Sequence, residues 1–277
     1  MDEYRGKKVV SYDKKGVVLE NGERIEAKVV VDCSGIDGEN LRRNSGINIP
    51  PRLIYITYER VDRLNVPDDT FYLIVGCSIY GGWIYPAKPS EIGAANLFKR
   101  KENVYYPETS ILKKSYPEIF GESEVKQIFK EVYPYGFVKR VVNDNVILFG
   151  DSAGLTHPMY ATSIHYIHHA SKPLSESIKS YLNGYGKLEE YQKWWKSFLK
   201  GIKLLTAKSF AHWELPIKDQ EKLVDLHKKA EVHPDSIINE LKGLKDEKVY
   251  VKNPPKIWEL PLKLLLKTAY YYLKLSI

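Results

Sequence analysis

Residues 146–158 read VILFGDSAGLTHP, and the chain continues MYATSIHYIHHA to residue 170. The first four residues form a short apolar run, which predicts a fully buried strand. The run leads to Asp151 in a turn of small residues. A buried carboxylate is costly without a polar partner, and small residues let another molecule approach the backbone. Two interpretations stay open from this stretch: Asp151 caps the following helix, or it binds a molecule that lies over the turn.

The composition describes an ordinary globular protein that is mildly basic. The chain has 277 residues, 43% hydrophobic and 28% charged, with a net charge of +7. This charge suits an anionic cofactor, a lipid head group or a membrane surface. No dense basic block and no zinc-finger, RNA-binding or helix-turn-helix signature is present, so we expect no nucleic-acid partner.

The sequence also predicts a cytoplasmic location. Its two cysteines, Cys33 and Cys77, are too few for a disulfide framework, which fits a reducing compartment. The N-terminal residues lack the pattern of a signal peptide, and no apolar run is long enough to span a bilayer.

Local patterns predict a change from strands to helices along the chain. Residues 8–31 form a β meander, with a hairpin turn at Asn21-Gly22. Residues 52–99 hold long runs rich in Tyr, Ile and Val, typical of an antiparallel sheet. After residue 163 the pattern becomes helical, and Pro173 is expected to kink or end a helix there.

Three stretches in order resemble one enzyme family. AKVVVDCSG (27–35), GGWIYPAK (81–88) and VILFGDSAGLTHP (146–158) together resemble the geranylgeranyl reductase family, FAD-dependent oxidoreductases with a p-hydroxybenzoate hydroxylase-like fold. The resemblance implies an α+β (α/β) fold class. Its parts would be an incomplete FAD-binding Rossmann-like domain (residues 1–50 and 140–185), an antiparallel-sheet substrate domain (51–139) and a C-terminal helical region (186–277).

The resemblance implies a flavin site around the Gly-Asp turn. Asp151 would accept a hydrogen bond from a ribityl or ribose hydroxyl of FAD. The helix near Ser163 would point its N-terminus at the flavin edge where negative charge develops. His157 would touch the flavin and supply a proton, although the catalytic residue itself stays unassigned. The implied cofactor-binding residues are Gly35, Gly150, Asp151, Ala153, Gly154, Pro158, Ala161, Ser163 and Ile164.

The stretch GGWIYP resembles the family's aromatic motif, Tyr-x-Trp-x-Phe-Pro. Trp83, Tyr85 and Pro86 match it, with Tyr85 replacing Phe and Gly81 replacing the first Tyr. The resemblance implies that these three residues line a pocket for an isoprenoid lipid. From the residues alone, the stretch is equally an ordinary part of a sheet core.

The implied activity is reduction of isoprenoid carbon–carbon double bonds by reduced FAD. Two alternatives remain: another flavin oxidoreductase or monooxygenase on the same fold, and a non-catalytic lipid-binding or partner subunit that has lost flavin.

Two departures from the family pattern bear on flavin binding. The family has Pro-x-x-Gly-x-Gly after the Gly-Asp turn, whereas this chain has Ala161 and Ser163 at the glycine positions. We expect the β-carbon of Ala161 to resist the positive φ that glycine supplies. The ADP-binding Gly-x-Gly-x-x-Gly is also absent; its nearest match, Gly184-Tyr-Gly186, follows a helix pattern.

Whether this chain binds FAD alone is therefore open. The ADP-binding unit would come from a separate polypeptide or from residues upstream of Met1, or the chain is a degenerate relative. We expect a protein partner or poor stability in isolation, because an incomplete sheet exposes its edges.

Two further features were weighed as sites. His165 and His169 have the spacing of helical metal ligands but lack a third ligand, so no metal is predicted. In KIWELPLKLLLKTAYYYLKLSI (256–277), Lys263, Lys267 and Lys274 share one face of a predicted helix. That helix either lies on a membrane surface, giving peripheral membrane contact, or docks on the protein with its lysines solvated.

Overall fold

The structure is a computed structural model, and it describes residues 6–74, 78, 80–86, 88–100, 103–158, 161, 163–228, 231–232, 251–252 and 256–275. The strands are β1 (Val9–Asp13), β2 (Gly16–Leu19), β3 (Arg24–Glu26), β4 (Val30–Asp32), β5 (Arg52–Val61), β6 (Tyr72–Ile74), β7 (Gly82–Tyr85), β8 (Ser90–Lys99), β9 (Val125–Tyr135), β10 (Val142–Asn143), β11 (Val146–Leu148), β12 (Glu231–Val232) and β13 (Val251–Lys252). The helices are α1 (Glu39–Asn44), α2 (Ser110–Ser115), α3 (Pro117–Phe120), α4 (Ile164–Leu182), α5 (Glu189–Trp213), α6 (Ile217–Lys228) and α7 (Leu262–Lys274), with short 3-10 turns at Gly150–Ala153 and Ile257–Glu259.

The chain divides into two compact units. The first comprises Met1–Pro51, Pro134–Leu205 and Ser276–Ile277, and the second comprises Arg52–Tyr133 and Thr206–Leu275. The predicted α+β class is confirmed, because the described residues form helices and antiparallel sheets. Residues 186–277, predicted as a helical region of their own, are instead divided between the two units.

The first unit holds the predicted meander, β1-β2-β3, and a second sheet in the order β10-β11-β4. In the second sheet β4 and β11 run parallel, with Asp32 opposite Leu148. Their carboxyl ends therefore meet at the same edge, which is where open α/β sheets bind ligands. The hairpin expected at Asn21-Gly22 joins β2 to β3.

Helix α4 runs through Pro173, so the expectation that this proline ends a helix is wrong. Its buried stripe of Tyr166, Ala170 and Leu174 continues across the proline at helical spacing. Packing along this stripe overrides the loss of one backbone hydrogen bond at the proline. In α5, Trp195 is buried in the core, and its indole N–H donates to the carbonyl of Val138 at 2.8 Å.

The second unit is built on a five-stranded sheet in the order β6-β7-β8-β5-β9. One face packs against α2 and α3 through Ile84, Ile92, Leu112 and Phe120. No helix in the described part of the chain has the length and apolar character needed to cross a membrane. Of the two cysteines, Cys33 is a free, exposed thiol, and Cys77 lies outside the described residues.

Candidate functional site

The loops that follow β4 and β11 are joined at the edge where the two parallel strands end. The backbone N–H of Gly35 donates to Ser152 Oγ at 3.0 Å. The Ser152 hydroxyl in turn donates to Asp32 Oδ1 at 3.2 Å. These bonds connect two segments that lie far apart in the sequence, and they form the floor of a candidate site.

A buried arginine, Arg42, donates hydrogen bonds to both of these loops. The Arg42 side chain is 1% exposed, and it reaches from α1 to four partners. Its Nη1 donates to Asp32 Oδ2 at 3.0 Å, to Ser34 Oγ at 3.1 Å and to Ser152 Oγ at 3.2 Å, and its Nη2 donates to the carbonyl of Gly35. These bonds satisfy Nη1 and Nη2, while Nε is buried without an acceptor. A buried arginine needs such partners, because an unpaired buried charge is strongly destabilising.

The carboxylate of Asp32 is held ionised by this network. Burial raises its pKa, but hydrogen bonds from Ser34 and Arg42 outweigh burial and lower the pKa below the usual value of 3.8. The neighbouring Tyr12 hydroxyl donates to Asp32 Oδ2 at 3.3 Å, and burial raises the pKa of Tyr12. Asp32 and Arg42 therefore form a structural ion pair beneath the site.

Asp151 contrasts with Asp32, although both carboxylates follow buried strands. Its side chain is half-buried, and burial raises its pKa. It makes no hydrogen bond or ion pair with any residue that the structure describes. Asp151 also lies inside the 3-10 turn rather than at the start of α4, so helix capping does not account for it. A half-buried carboxylate without a donor is expected where a ligand supplies the donor.

The small residues around Asp151 have two different roles. Gly35 has φ +57°, and a β-carbon there would meet only the β-carbon of Asp151, at 3.8 Å, so the space above it is open. Gly154 has φ +71° and is buried, and a β-carbon there would lie 2.0 Å from the carbonyl oxygen of Gly136. Gly150 and Ala153 are buried as well. Contact of Gly150, Ala153 and Gly154 with a cofactor stays a prediction.

Ala161 adopts the backbone conformation that its β-carbon was expected to resist, with φ +54°. Its N–H donates to the carbonyl of His157 at 3.0 Å, so the loop keeps the turn that glycine would form. The neighbouring Pro158 is buried, and its carbonyl accepts the hydroxyl of Tyr135. The loop therefore holds a strained residue, because the left-handed region costs a non-glycine residue about 1–2 kcal/mol.

Replacing Ala161 with Gly is expected to stabilise the protein. Relief of the left-handed strain exceeds the entropy that glycine adds to the unfolded chain, so the gain is about 0.5–1 kcal/mol. Urea unfolding followed by circular dichroism measures it. The same change at Ala170, buried in the middle of α4, should cost about 1 kcal/mol instead. A loss of stability in Ala161→Gly would show that this loop is not strained.

The N-terminus of α4 follows this loop. Ser163 is the N-cap residue and its side chain makes no capping hydrogen bond, while Ile164 is exposed. His157 is buried, with its ring stacked on Tyr166 at 5.5 Å, so it lies in the core and not on an open surface. The Ser163 side chain therefore does not cap the first turn of α4.

The histidines weighed as metal ligands, His165 and His169, pack against aromatic rings. His165 lies 4.3 Å from Tyr166, and His169 lies 5.6 Å from Trp194, measured between ring centroids. The pKa of His169 is lowered below its usual value, mainly because the ring is partly buried. Within the described ranges, no three His, Cys, Asp or Glu side chains are grouped to hold a metal ion.

In the second unit, the aromatic motif lies on the sheet face opposite the core. Trp83 packs over Gly93 and donates from its indole N–H to Glu91 Oε1 at 3.1 Å. Tyr85 is exposed and packs edge-on against Phe71. The side-by-side residues Leu73 and Trp83 extend this apolar surface. Pro86 is buried beside it. The alternative of an ordinary buried sheet core therefore does not describe Tyr85, whereas Trp83 is partly buried.

Sequence reasoning did not find the Asp32–Arg42 pair. The one available signal was that Asp32, like Asp151, ends a buried strand and so needs a partner. The glycines nearest to the missing fingerprint, Gly184 and Gly186, follow α4, and Gly184 has φ +84°, as expected for a residue that terminates a helix.

Comparison with known proteins relates the fold to flavoproteins. No protein-family model and no curated protein matches the chain. Among solved structures, it is similar to a geranylgeranyl bacteriochlorophyll reductase-like protein from Thermoplasma acidophilum (15% identity, TM-score 0.59), covering 94% of this chain and 64% of that one. It is also similar to the flavin-dependent brominase Bmp2 (16%, 0.56; 98% and 71% covered) and to a flavoprotein/dehydrogenase from Cytophaga hutchinsonii (14%, 0.57; 78% and 57% covered).

These likenesses show the fold. The chain has the fold of FAD-binding oxidoreductases, as its resemblance predicted. It spans 57–71% of the length of these three proteins.

Proposed function

We propose that the chain is the flavin-holding part of an oxidoreductase that reduces isoprenoid double bonds. The observation that carries the flavin proposal is the carboxylate of Asp151. It is half-buried, has no donor among the described residues, and lies where two parallel strands end in a flavoprotein fold. A hydroxyl-rich ligand would supply the missing donors and offset the cost of burying the charge.

The described residues fit the ribityl half of FAD. Asp151 would accept from a ribityl hydroxyl, and the open space above Gly35 would admit the chain that carries it. The N-terminus of α4, which the Ser163 side chain does not cap, would stabilise negative charge at the flavin edge. A bound flavin supplies the hydride chemistry. No Gly-x-Gly-x-x-Gly loop for the pyrophosphate occurs in the sequence, so the adenylate half has no matching cradle in these residues.

The surface of the second unit supports an apolar substrate. Phe71, Leu73, Trp83 and Tyr85 form a continuous apolar surface on the sheet, and Phe71, Leu73 and Tyr85 are exposed. Flat aromatic side chains of this kind bind a long hydrocarbon chain without requiring polar partners. An isoprenoid lipid is the substrate class proposed, and peripheral contact with a membrane would give access to it.

A protein partner or a longer chain would complete the first unit. Strand β4 is at the edge of its sheet, where Val31 is 38% exposed. The Val30 N–H donates to the carbonyl of Asn145, and the Asp32 carbonyl accepts from Phe149, both on the β11 side. The N–H and C=O of Val31 therefore face the opposite edge of the sheet. A parallel strand paired there would carry the ADP-binding unit.

Slower hydrogen exchange at the Val31 amide after such a polypeptide is added would support this proposal, and unchanged exchange would oppose it.

Substitution of Asp151 by Asn tests the flavin proposal. Riboflavin and FAD are titrated into the purified chain, and quenching of flavin fluorescence reports binding. Because hydrogen bonds to a charged acceptor contribute about 1.5–3 kcal/mol, Asp151→Asn should weaken flavin binding by about tenfold or more. The same variant should unfold at a higher temperature without flavin, since a half-buried charge without a partner is removed.

Asp144→Asn is the matched control. Asp144 is an exposed acid of the first unit with φ +54°, a conformation that Asn also adopts. It should leave flavin binding unchanged. A wild-type chain that binds neither flavin overturns the flavin proposal. Equal binding by Asp151→Asn and wild type removes the role of Asp151 only.

The substrate class needs a separate measurement. Reduction of a prenylated lipid by the flavin-loaded protein, compared with turnover of an aromatic substrate, distinguishes the reductase from a monooxygenase of the same fold. Lipid bound by a protein that takes up no flavin would instead identify a non-catalytic lipid-binding subunit.

A further inference from the structure

Helix α7 of the second unit is docked through polar contacts, and Leu262, Leu266 and Leu273 are exposed on its outer side. Tyr271 is buried, and its hydroxyl donates to Glu214 Oε1. Lys267 Nζ donates to Glu214 Oε2 at 3.0 Å. The ring of Tyr271 also packs edge-on against Phe210, with 5.6 Å between centroids. The sequence alternative in which α7 docks with its lysines solvated is therefore wrong for Lys267, which faces the protein.

The polar contacts fix the orientation of the helix. Arg52 is buried, donates to Glu214 Oε1 at 3.2 Å and lies over the ring of Phe210 at 4.1 Å. Glu214 thus receives Arg52, Lys267 and Tyr271 together. Turning the leucines of α7 inward would break these bonds and leave charges buried without partners.

This docking leaves a stripe of leucines exposed, which we call the α7 outer face. Leu262 is 69% exposed, Leu266 is 62% exposed and Leu273 is 80% exposed. They share one side of the helix because their spacing follows the helical repeat. The turn that precedes the helix adds Ile257 and Trp258, which are 63% and 75% exposed. Isolated exposed leucines are ordinary, but a contiguous stripe with a tryptophan at its end marks a contact surface.

The charges around this stripe identify its partner. Lys263 and Lys274 are exposed on the same flank of α7, and Lys256 lies next to Trp258. Helix α7 holds no acidic residue, and Glu259 is the one acid in residues 256–275. An apolar stripe flanked by lysines and ended by aromatic residues matches the interface of an anionic bilayer, where the leucines enter the acyl region and the lysines contact head groups.

We propose that the α7 outer face binds the surface of anionic membranes. The helix lies in the plane of the interface, with Leu262, Leu266 and Leu273 inserted and Trp258 at the head-group level. The docked contacts of Tyr271 and Lys267 hold the second unit on the opposite side of the helix. This inference does not rest on flavin binding, because every residue that carries it belongs to the second unit.

Vesicle co-sedimentation of the full chain tests this surface. The probes are vesicles of phosphatidylcholine alone and vesicles with about one part phosphatidylglycerol to two parts phosphatidylcholine. We expect the wild-type chain to bind the anionic vesicles more strongly, and to lose part of that preference as salt rises. Leu266→Glu should reduce binding to anionic vesicles by about tenfold or more, because it removes an inserted side chain and adds a negative charge.

Leu204→Glu is the control, because Leu204 is an exposed leucine on α5 and the change in charge is the same. Its binding should equal that of the wild type. Both variants should keep the wild-type circular dichroism spectrum and melting temperature, since both sites are exposed. Lys263→Gln with Lys274→Gln should remove the preference for anionic lipid.

Two results would overturn the proposal. One is a wild-type chain that does not sediment with anionic vesicles, or that does so equally well with Leu266→Glu. The other is self-association in sedimentation equilibrium that Leu266→Glu abolishes, which would make the α7 outer face an interface between two copies of the chain.

Discussion

Replacing Arg42 with Met should destabilise the protein by about 3–5 kcal/mol at neutral pH, the usual cost of breaking a buried ion pair. Arg42 is 1% exposed and the Asp32 side chain is 3% exposed, so neither charge can turn to water. Met fills a similar volume but leaves the Asp32 carboxylate without its cation. The carbonyl of Gly35 and the hydroxyl of Ser152 also lose their hydrogen bonds from Arg42, although Ser152 keeps the one from the Gly35 N–H.

The stability difference between Arg42→Met and the wild type should change with pH, whereas a loss of packing alone would not depend on pH. In the wild type the folded pKa of Asp32 lies below its usual value, so its stabilisation is complete above pH 3.8 and is lost as the pH falls through the folded pKa. In Arg42→Met the hydrogen bonds from Ser34 remain but both lowering contributions of Arg42 are lost, so the folded pKa of Asp32 rises relative to the wild type. The difference in stability between the variant and the wild type therefore shrinks as acid protonates Asp32 first in the variant.

Arg43→Met is the control for this measurement. Arg43 is the exposed neighbour on α1, and it pairs with Glu39 one turn away. An exposed pair of this kind contributes about 0.2–1 kcal/mol. Urea unfolding at several pH values should therefore separate the two variants clearly. A loss in Arg42→Met that stays constant with pH would mean that the pair with Asp32 is not what the arginine supplies.

A double variant separates the pair from its surroundings. Asp32→Asn alone should also be strongly destabilising, because it leaves Arg42 charged and buried. Asp32→Asn with Arg42→Met should cost less than the sum of the two single changes, since no charge is then left without a partner. Strict additivity would show that the two side chains act independently.

The sequence predicted the local structure around this pair but not the pair itself. Strand β4 and the Gly-Asp turn follow from apolar runs and small residues that are adjacent in the chain. The Arg42 contacts join residues 8, 10 and 110 positions apart, and no periodic pattern marks such separations. They arise because the parallel pairing of β4 with β11 brings the two strand ends together.

For helix α7, too, only part of the structure could be predicted from the sequence, for a different reason. Its length and its lysine positions could be predicted from the helical repeat. The side of α7 that faces the protein is set by its hydrogen bonds to Glu214. Glu214 lies far away in the sequence, and the helical repeat of α7 gives no information about where it is in the fold. Ala161 is a third case, because local preference disfavours its conformation and the surrounding loop imposes it.

Gly154→Ala is expected to be the second most damaging change, with a loss of about 2–5 kcal/mol from overlap and left-handed strain together. A β-carbon at this position would lie 2.0 Å from the carbonyl oxygen of Gly136 and 2.9 Å from its carbonyl carbon. Both are backbone atoms, so no side-chain rotation can relieve the contact. One segment must move, and the Gly-Asp turn that holds Asp151 moves with it.

Gly46→Ala separates the two causes of this loss. Gly46 has φ +68°, almost the same as the +71° of Gly154, but nothing lies within 4 Å of its β-carbon position. It should therefore show only the left-handed strain, about 1–2 kcal/mol. The difference between the two variants measures the contact with Gly136. If both lose the same amount, the turn tolerates a side chain at Gly154 and the Gly-Asp loop is softer than its packing indicates. If Gly154→Ala loses more and also binds flavin less well, the rigidity of the turn contributes to holding Asp151 in its binding position.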